Sequence, residues 1–389
     1  MKLKLIISTL IACSTVALGQ TVQANRNITL APAQPSQAVS DFVHFSFPLN
    51  ADANIQPLHQ KSEANSDEFW FQATGEELNK GIEISSTQTG SLIRITRGKA
   101  AKGLNPAAKL DKSLIKLVSR KAPDKSVIGQ LVSQSQLEKT GVFDRTLAIK
   151  TSKKDSKGPL LLSTTQALNV DDKYMISVKE KNSPYRLKLT LPSQTYGKSN
   201  SVKATARLAS NGLALVADEV SATLVSPDGQ QSPINFSANK KGELAFNFNK
   251  PINSIAPVNG LYEILIKANG KDKGLSIKRN AKLALAFTND TARLAGQALD
   301  ANASHAIFKI DVAKESRFEV RAILYGTDLN GKMIPVMETH AAQTFKNGLN
   351  QLELPFNAEI LAQSQVNPPF ELRNVRLFDQ KQLGLIDTL

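Results

Sequence analysis

Between residues 202 and 287 apolar and polar side chains alternate with a period of two, and this restricts the chain more than any other feature. Val202, Ala204, Ala206 and Leu208 interleave with Lys203, Thr205 and Arg207, and Leu244, Phe246 and Phe248 with Glu243, Ala245 and Asn247. Tyr262, Ile264, Ile266 and Ala268 follow Gly260, and Leu283, Leu285 and Phe287 end the block. Successive side chains of a strand point to opposite faces, so each run predicts a strand with one buried and one solvated face. Val220, Ala222 and Leu224 lead into a Ser-Pro-Asp-Gly turn at 226–229. Turn-separated strands at this density predict an immunoglobulin-like sandwich over 192–289. Tyr262 is a candidate tyrosine corner, or an ordinary cross-strand aromatic.

The block 290–389 repeats the style. Phe308, Ile310 and Val312, then Phe318, Val320, Ala322 and Leu324, then Leu352, Leu354 and Phe356 supply strand faces. Asn330-Gly331 favours a tight hairpin turn. Asp328 and Asn330 also suggest calcium, but a third ligand before Gly331 is missing, so a plain turn is expected. NAEILAQSQ (357–365) predicts a short helix that stops before Pro368. Residues 66–190 mix strand-like runs with one helical pattern: Val127, Ile128, Leu131 and Val132, with Gly141 as the stop. Trp70, between Phe69 and Phe71, reads as a core or interface anchor ahead of a ligand platform. Residues 25–65 are polar and read as an arm that adds one strand near Val43–Phe47. The expected class is mainly β: tandem immunoglobulin-like β-sandwiches preceded by a β-rich α+β N-terminal domain.

Lys2 and Lys4 precede an uncharged apolar run from Leu5 to Leu18, followed by VQA. This predicts a signal peptide over 1–24 and export to the periplasm or beyond, with no later run of roughly 18 apolar residues to span a membrane. LIAC (10–13) also fits a lipidated Cys13, but that would leave an apolar start, whereas cleavage after Ala24 leaves a polar one. Cys13 is the only cysteine, so cleavage removes disulfides, thiol nucleophiles and cysteine metal sites together. His44, His59, His305 and His340 lack zinc spacing. No nucleophile elbow, phosphate loop or dinucleotide fingerprint occurs. No cofactor is expected, and a carboxylate hydrolase assembled from distant strands ranks below a non-enzymatic protein.

The formal charge of +14 is uneven. Residues 94–157 hold sixteen Lys and Arg against five Asp and Glu, whereas residues 290–389 hold ten against twelve. A local positive field favours polyanions. The candidate polyanion-binding residues are Arg94, Arg97, Lys109, Lys112, Lys116 and Arg120. Residues 105–121 admit two readings. In one, Asn105 and Pro106 start a basic amphipathic helix with Leu110, Leu114, Leu117 and Val118 on one face. In the other, Leu114–Val118 is a strand.

Three stretches, SDEFWFQATGEELNKGIEI with SLIRITR (66–84 and 91–97), RFEVRAILYGTDLNGKMIPV (317–336) and PPFELRNVRLFDQKQLGLI (368–386), resemble an exported proteobacterial family defined as a domain of unknown function. The chain departs from its pattern at Gln88 and Thr89, where an Ala-Pro pair is expected, and at Asn374, where an aspartate is expected. The resemblance implies tandem immunoglobulin-like domains and export, favours a strand at Leu114–Val118, and transfers no catalytic residue. The expected function is binding: an acidic polysaccharide or anionic surface through the basic first domain, or an envelope or host protein in an accessory role. Nucleic acid is not expected.

Overall fold

The structure, a computed structural model, describes residues 42–55, 61–98, 107, 109–141, 143–197, 201–249 and 260–389. The expected signal peptide, Cys13, His59, Asn105 and Pro106 lie outside them.

Three two-sheet sandwiches follow one another, each with its own apolar core. In the first, the five-stranded sheet orders its strands Glu68–Thr74, Lys173–Lys179, Leu92–Arg97, Thr146–Thr151, Ile128–Val132. A four-stranded sheet of Ile82–Ser86, Gly158–Thr164, Ile115–Ser119 and Ala122–Ser126 covers it. Ile93 and Ile95 from one sheet meet Ile115, Leu117, Leu160 and Leu162 from the other, all buried. The middle sandwich is built as the alternation predicts: Val202, Ala204, Ala206 and Leu208 face Ile264, Ile266 and Ala268 across the core. Tyr262 pairs with Leu285 and packs edge-on against Phe287, with ring centroids 5.0 Å apart. In the last sandwich Phe308, Ile310, Phe318, Val320, Leu352 and Leu354 share one core. Asp328 accepts from the amides of Asn330 and Lys332 in the hairpin turn, where Gly331 has a φ of 79°. The helix Ala358–Ser364 is capped by Asn357 and ends four residues before Pro368.

Three expectations change. Tyr185–Leu191 does not close the first domain; it pairs with Ser201–Ser210 inside the middle sandwich. Ile128–Val132 is a strand, and only Gln134–Glu138 is helical. Gly129 is the physical reason: a bulge between Ile128 and Gln130 breaks the two-residue alternation and mimics helical spacing. Residues 112–119 form one 3-10 turn, Lys112–Leu114, and the strand Ile115–Ser119, so the basic helix gives way to the strand.

The arm is more than a linker. Val43–Pro48 pairs with Met333–Phe345 in the last sandwich, and Ser62–Ser66 pairs with Tyr185–Leu191 in the middle one. Glu68–Thr74 then enters the first. The chain therefore runs through last, middle and first sandwiches before returning in the opposite order, so the arm ties all three together.

Where the first and middle sandwiches meet, Arg279 and Glu180 form an ion pair of 2.5 Å with both side chains fully buried. Glu180 also accepts from the Thr87 amide at 2.6 Å, and Arg279 donates to the Tyr185 carbonyl at 2.9 Å and to Ser183 Oγ at 2.8 Å. Loss of one partner from a buried pair leaves an uncompensated charge. Arg279→Met is therefore expected to destabilise the protein by about 3–5 kcal/mol in urea unfolding, with part of that recovered in Arg279→Met/Glu180→Met. A cost below about 1 kcal/mol would contradict the assignment.

Candidate functional site

The six candidate basic residues do not form one surface. Arg94 stands between the inward-facing Ile93 and Ile95, so it projects from the outer side of the five-stranded sheet. Lys116 stands between the inward-facing Ile115 and Leu117 and projects from the other sheet, on the opposite side of the sandwich. Arg97 donates from Nη1 to the Ala107 carbonyl at 3.0 Å. Arg120 pairs with Glu83 at 3.0 Å, with both side chains largely exposed. Lys109 and Lys112 are exposed and flank Asp111. Hydrogen bonds from Ser113, aided by these two lysines, hold the Asp111 carboxyl below its ordinary range. Lys109, Lys112 and Lys116 thus remain as an exposed basic run over one turn and the strand after it.

Arg94 belongs to a different site. The sheet register aligns Trp70 with Ser177 and Ser177 with Arg94 on three neighbouring strands. Arg94 Nε donates to Ser177 Oγ at 3.1 Å, and its guanidinium lies 5.7 Å from the Phe143 ring centroid. Among the described residues its two terminal nitrogens have no acceptor. This row faces the strand Leu275–Phe287 of the middle sandwich across a crevice. One lobe, of about 390 Å³, is lined by Trp70, Arg94, Asp67, Glu68, Lys179 and Lys282; a second, of about 260 Å³, is lined by Trp70, Phe71, Lys267 and Lys278. Trp70 and Asn280 border both, and Asn280 Nδ2 donates to the Trp70 carbonyl at 2.6 Å. Trp70 is thus an interface residue, as expected, and also half-exposed to the crevice. No sequence signal pairs Trp70 with Arg94, because their alignment depends on a strand more than 75 residues further along the chain.

A second polar group lies on the last sandwich. His340 Nδ1 is 2.9 Å from Glu319, its Nε2 is 3.6 Å from Glu338, and Phe45 of the arm stacks on its ring at 4.5 Å. Arg321 also binds Glu319 at 2.8 Å and lies over the Phe378 ring, and Arg376 binds Glu338 at 2.5 Å. Burial raises the Glu319 carboxyl, but hydrogen bonds from His340, Arg321 and Gln380 outweigh it and hold the group at about 2. For His340 burial opposes the charge, and the two glutamates outweigh it and raise its basicity. These charges satisfy one another, which makes the group a fastener for the arm.

The motifs behind the resemblance are also structural. A side chain at Gly326 would strike Val366 at 2.6 Å, and Arg373 lies over the Tyr325 ring at 4.5 Å. Buried Asp379 accepts from Thr291 at 2.7 Å and Ser316 at 2.5 Å, closing the last sandwich beside its entry strand. Asn374 has a φ of 53° within a bulge, a conformation that Asn and Asp tolerate. Gln88 keeps the loop at 87–90 in place by donating to the Lys181 carbonyl at 2.8 Å.

Three consecutive, mainly antiparallel β-sandwiches with an arm laced through them define the class. Two family models match: the N-terminal domain of a domain of unknown function (DUF4785) over residues 34–180, and its C-terminal domain over 291–389. The chain belongs to this family, and the middle sandwich falls between the matched spans. It is similar to the crystal structure of a DUF4785 family protein from Legionella pneumophila, with 20% identity over 92% of this chain and 98% of that one and a TM-score of 0.66. A tetra-tandem repeat from the extending region of a large adhesion protein aligns at 12% identity over 84% of this chain and 74% of that one, with a TM-score of 0.22. The C-terminal globular domain of an oligosaccharyltransferase from Pyrococcus abyssi aligns at 10% identity over 60% and 58%, with a TM-score of 0.15. Scores this low carry no argument. No curated protein matches the chain.

The His340 contacts stabilise the folded chain fully below the ordinary imidazole value of 6.5 and lose that contribution as pH rises through the higher folded value. Thermal melts are expected to show stability falling by on the order of 1 kcal/mol above that range, a dependence that His340→Gln removes. The Glu319 contribution is present above pH 4.5 and is lost as pH falls towards about 2, so Glu319→Gln flattens the acid limb.

Proposed function

We propose that the protein is an exported, non-enzymatic binding protein that holds an acidic polymer on its first sandwich, with the following immunoglobulin-like sandwiches as a rigid mount. The exposed run Lys109, Lys112 and Lys116 carries this reading: it lies in the most basic part of the chain and outside the ion pairs of the described residues. Glu180, Glu319 and Asp379 are each enclosed by hydrogen bonds within the fold, which ties these three carboxylates to structure. Among the described residues no helix is long and apolar enough to cross a membrane. The arm favours a second reading, an accessory spacer that docks an envelope or host protein, because lacing the sandwiches together suits a part that transmits position. Crosslinking in cells would then recover a protein partner.

The whole chain is needed for the test, because Ser62–Ser66 and Tyr185–Leu191 complete the middle sandwich. Binding through Lys and Arg contacts weakens steeply with salt as counterions are released. On immobilised heparin the protein is expected to elute above physiological salt, and Lys109→Glu/Lys112→Glu/Lys116→Glu at clearly lower salt. Elution of both proteins at the same salt would overturn the reading.

A further inference from the structure

We propose that the crevice between the first and middle sandwiches binds one anionic pyranose unit of such a polymer, its ring against Trp70 and its carboxylate or sulfate on Arg94. The proposal rests on the acidic-polymer reading and goes beyond it by adding a second contact, on the opposite face of the first sandwich from Lys116.

Trp70 and Arg94 occupy the same cross-strand row with Ser177 between them. Two strand spacings separate their backbones by roughly 10 Å. The bond from Arg94 Nε to Ser177 Oγ draws its side chain towards the strand that separates it from Trp70 and so narrows that gap. An indole offers an apolar surface to the C–H face of a pyranose together with a polar edge. A guanidinium whose two terminal nitrogens meet no acceptor among the described residues matches a carboxylate or sulfate with two parallel hydrogen bonds. Ser177 holds Nε of Arg94, which fixes the fork before a ligand arrives. Sites of this kind favour domain junctions, where a few polar groups converge on an apolar wall. The buried Arg279–Glu180 pair lies next in sequence to Asn280 and Lys179 of the crevice, so the two walls are held in place.

The lining separates a saccharide from a nucleic acid. Asp67 and Glu68 border the same lobe, and their ion pairs with Arg186 and Lys179 are loose, at 3.9 and 3.8 Å. Sugar hydroxyls donate to such carboxylates, whereas the backbone of a DNA strand has no hydroxyl with which to do so. Lys282 on the facing wall is paired with Glu263 at 2.8 Å, which leaves Arg94 as the cation of the site.

Trp70 is the only tryptophan, so its emission reports on this crevice alone. The whole chain is titrated with tetragalacturonate, with a neutral maltotetraose, with inorganic sulfate and with oligothymidylate. Saturable change with tetragalacturonate, at least tenfold weaker in Arg94→Gln and partly restored in Arg94→Lys, is the expected result, with melting curves confirming that each variant folds. Maltotetraose and sulfate leave the emission unchanged at matching concentrations. Lys109→Glu/Lys112→Glu/Lys116→Glu keeps the emission response while losing heparin retention. Heparin retention without any emission response to tetragalacturonate would overturn the crevice site and leave the polymer reading standing. A response to sulfate alone that equals the saccharide's, or a tighter response to oligothymidylate, would overturn the saccharide assignment.

Discussion

The buried pair of Arg279 and Glu180 is the contact on which the arrangement of the first two sandwiches depends. A fully desolvated charge is tolerated only when its partner and surrounding hydrogen bonds are in place. Here they come from four parts of the chain: the loop at Thr87, the end of the strand at Glu180, the link at Ser183 and Tyr185, and the strand at Arg279. All four must sit in register for the charges to be satisfied. An apolar contact of the same area would accept several sliding arrangements; this one accepts a single arrangement. The crevice beside it inherits that definition, since Asn280 and Lys179 follow and precede the paired residues.

The arm does for the far end what the ion pair does for the near end. Val43–Pro48 borders the last sandwich almost 300 residues before the strand it pairs with, and Ser46 Oγ donates to Thr339 across that junction. Closing such a loop costs entropy that grows slowly with its length. The ladder, the Phe45–His340 stack and the glutamates behind His340 offset that cost together. Because the arm also supplies an edge strand to the middle sandwich, the three domains share strands, and a cut at the apparent domain boundary removes parts of a neighbour.

Local patterns were legible in the sequence and pairings were not. The alternation at Val202–Leu208 or Tyr262–Ala268 needs only the two-residue period of a strand, and those strands formed as read. At Val127–Val132 the glycine bulge shifted the period by one residue, and a strand took on helical spacing. The basic segment failed in another way. Composition counts Arg94, Arg97, Lys112 and Lys116 together, yet the fold places Arg94 and Lys116 on opposite faces and commits Arg97 to a backbone carbonyl. The Trp70–Ser177–Arg94 row follows from long-range strand pairing, which no local window contains.

The residues that make this chain resemble its family therefore differ in kind from those that make it a candidate binder. Gly326 leaves no room for a side chain, Asp379 collects hydroxyls at a domain junction, and Arg373 covers Tyr325. Each is fixed by the needs of the fold, and each has its polar groups already engaged. A ligand requires the opposite: hydrogen-bonding capacity held in position and left unspent. Among the described residues Arg94 meets that condition, tethered through Nε with its terminal nitrogens free beside a half-exposed indole. In this family fold, polar groups that are fully satisfied mark the frame, and positioned groups with donors to spare mark where a partner would be held.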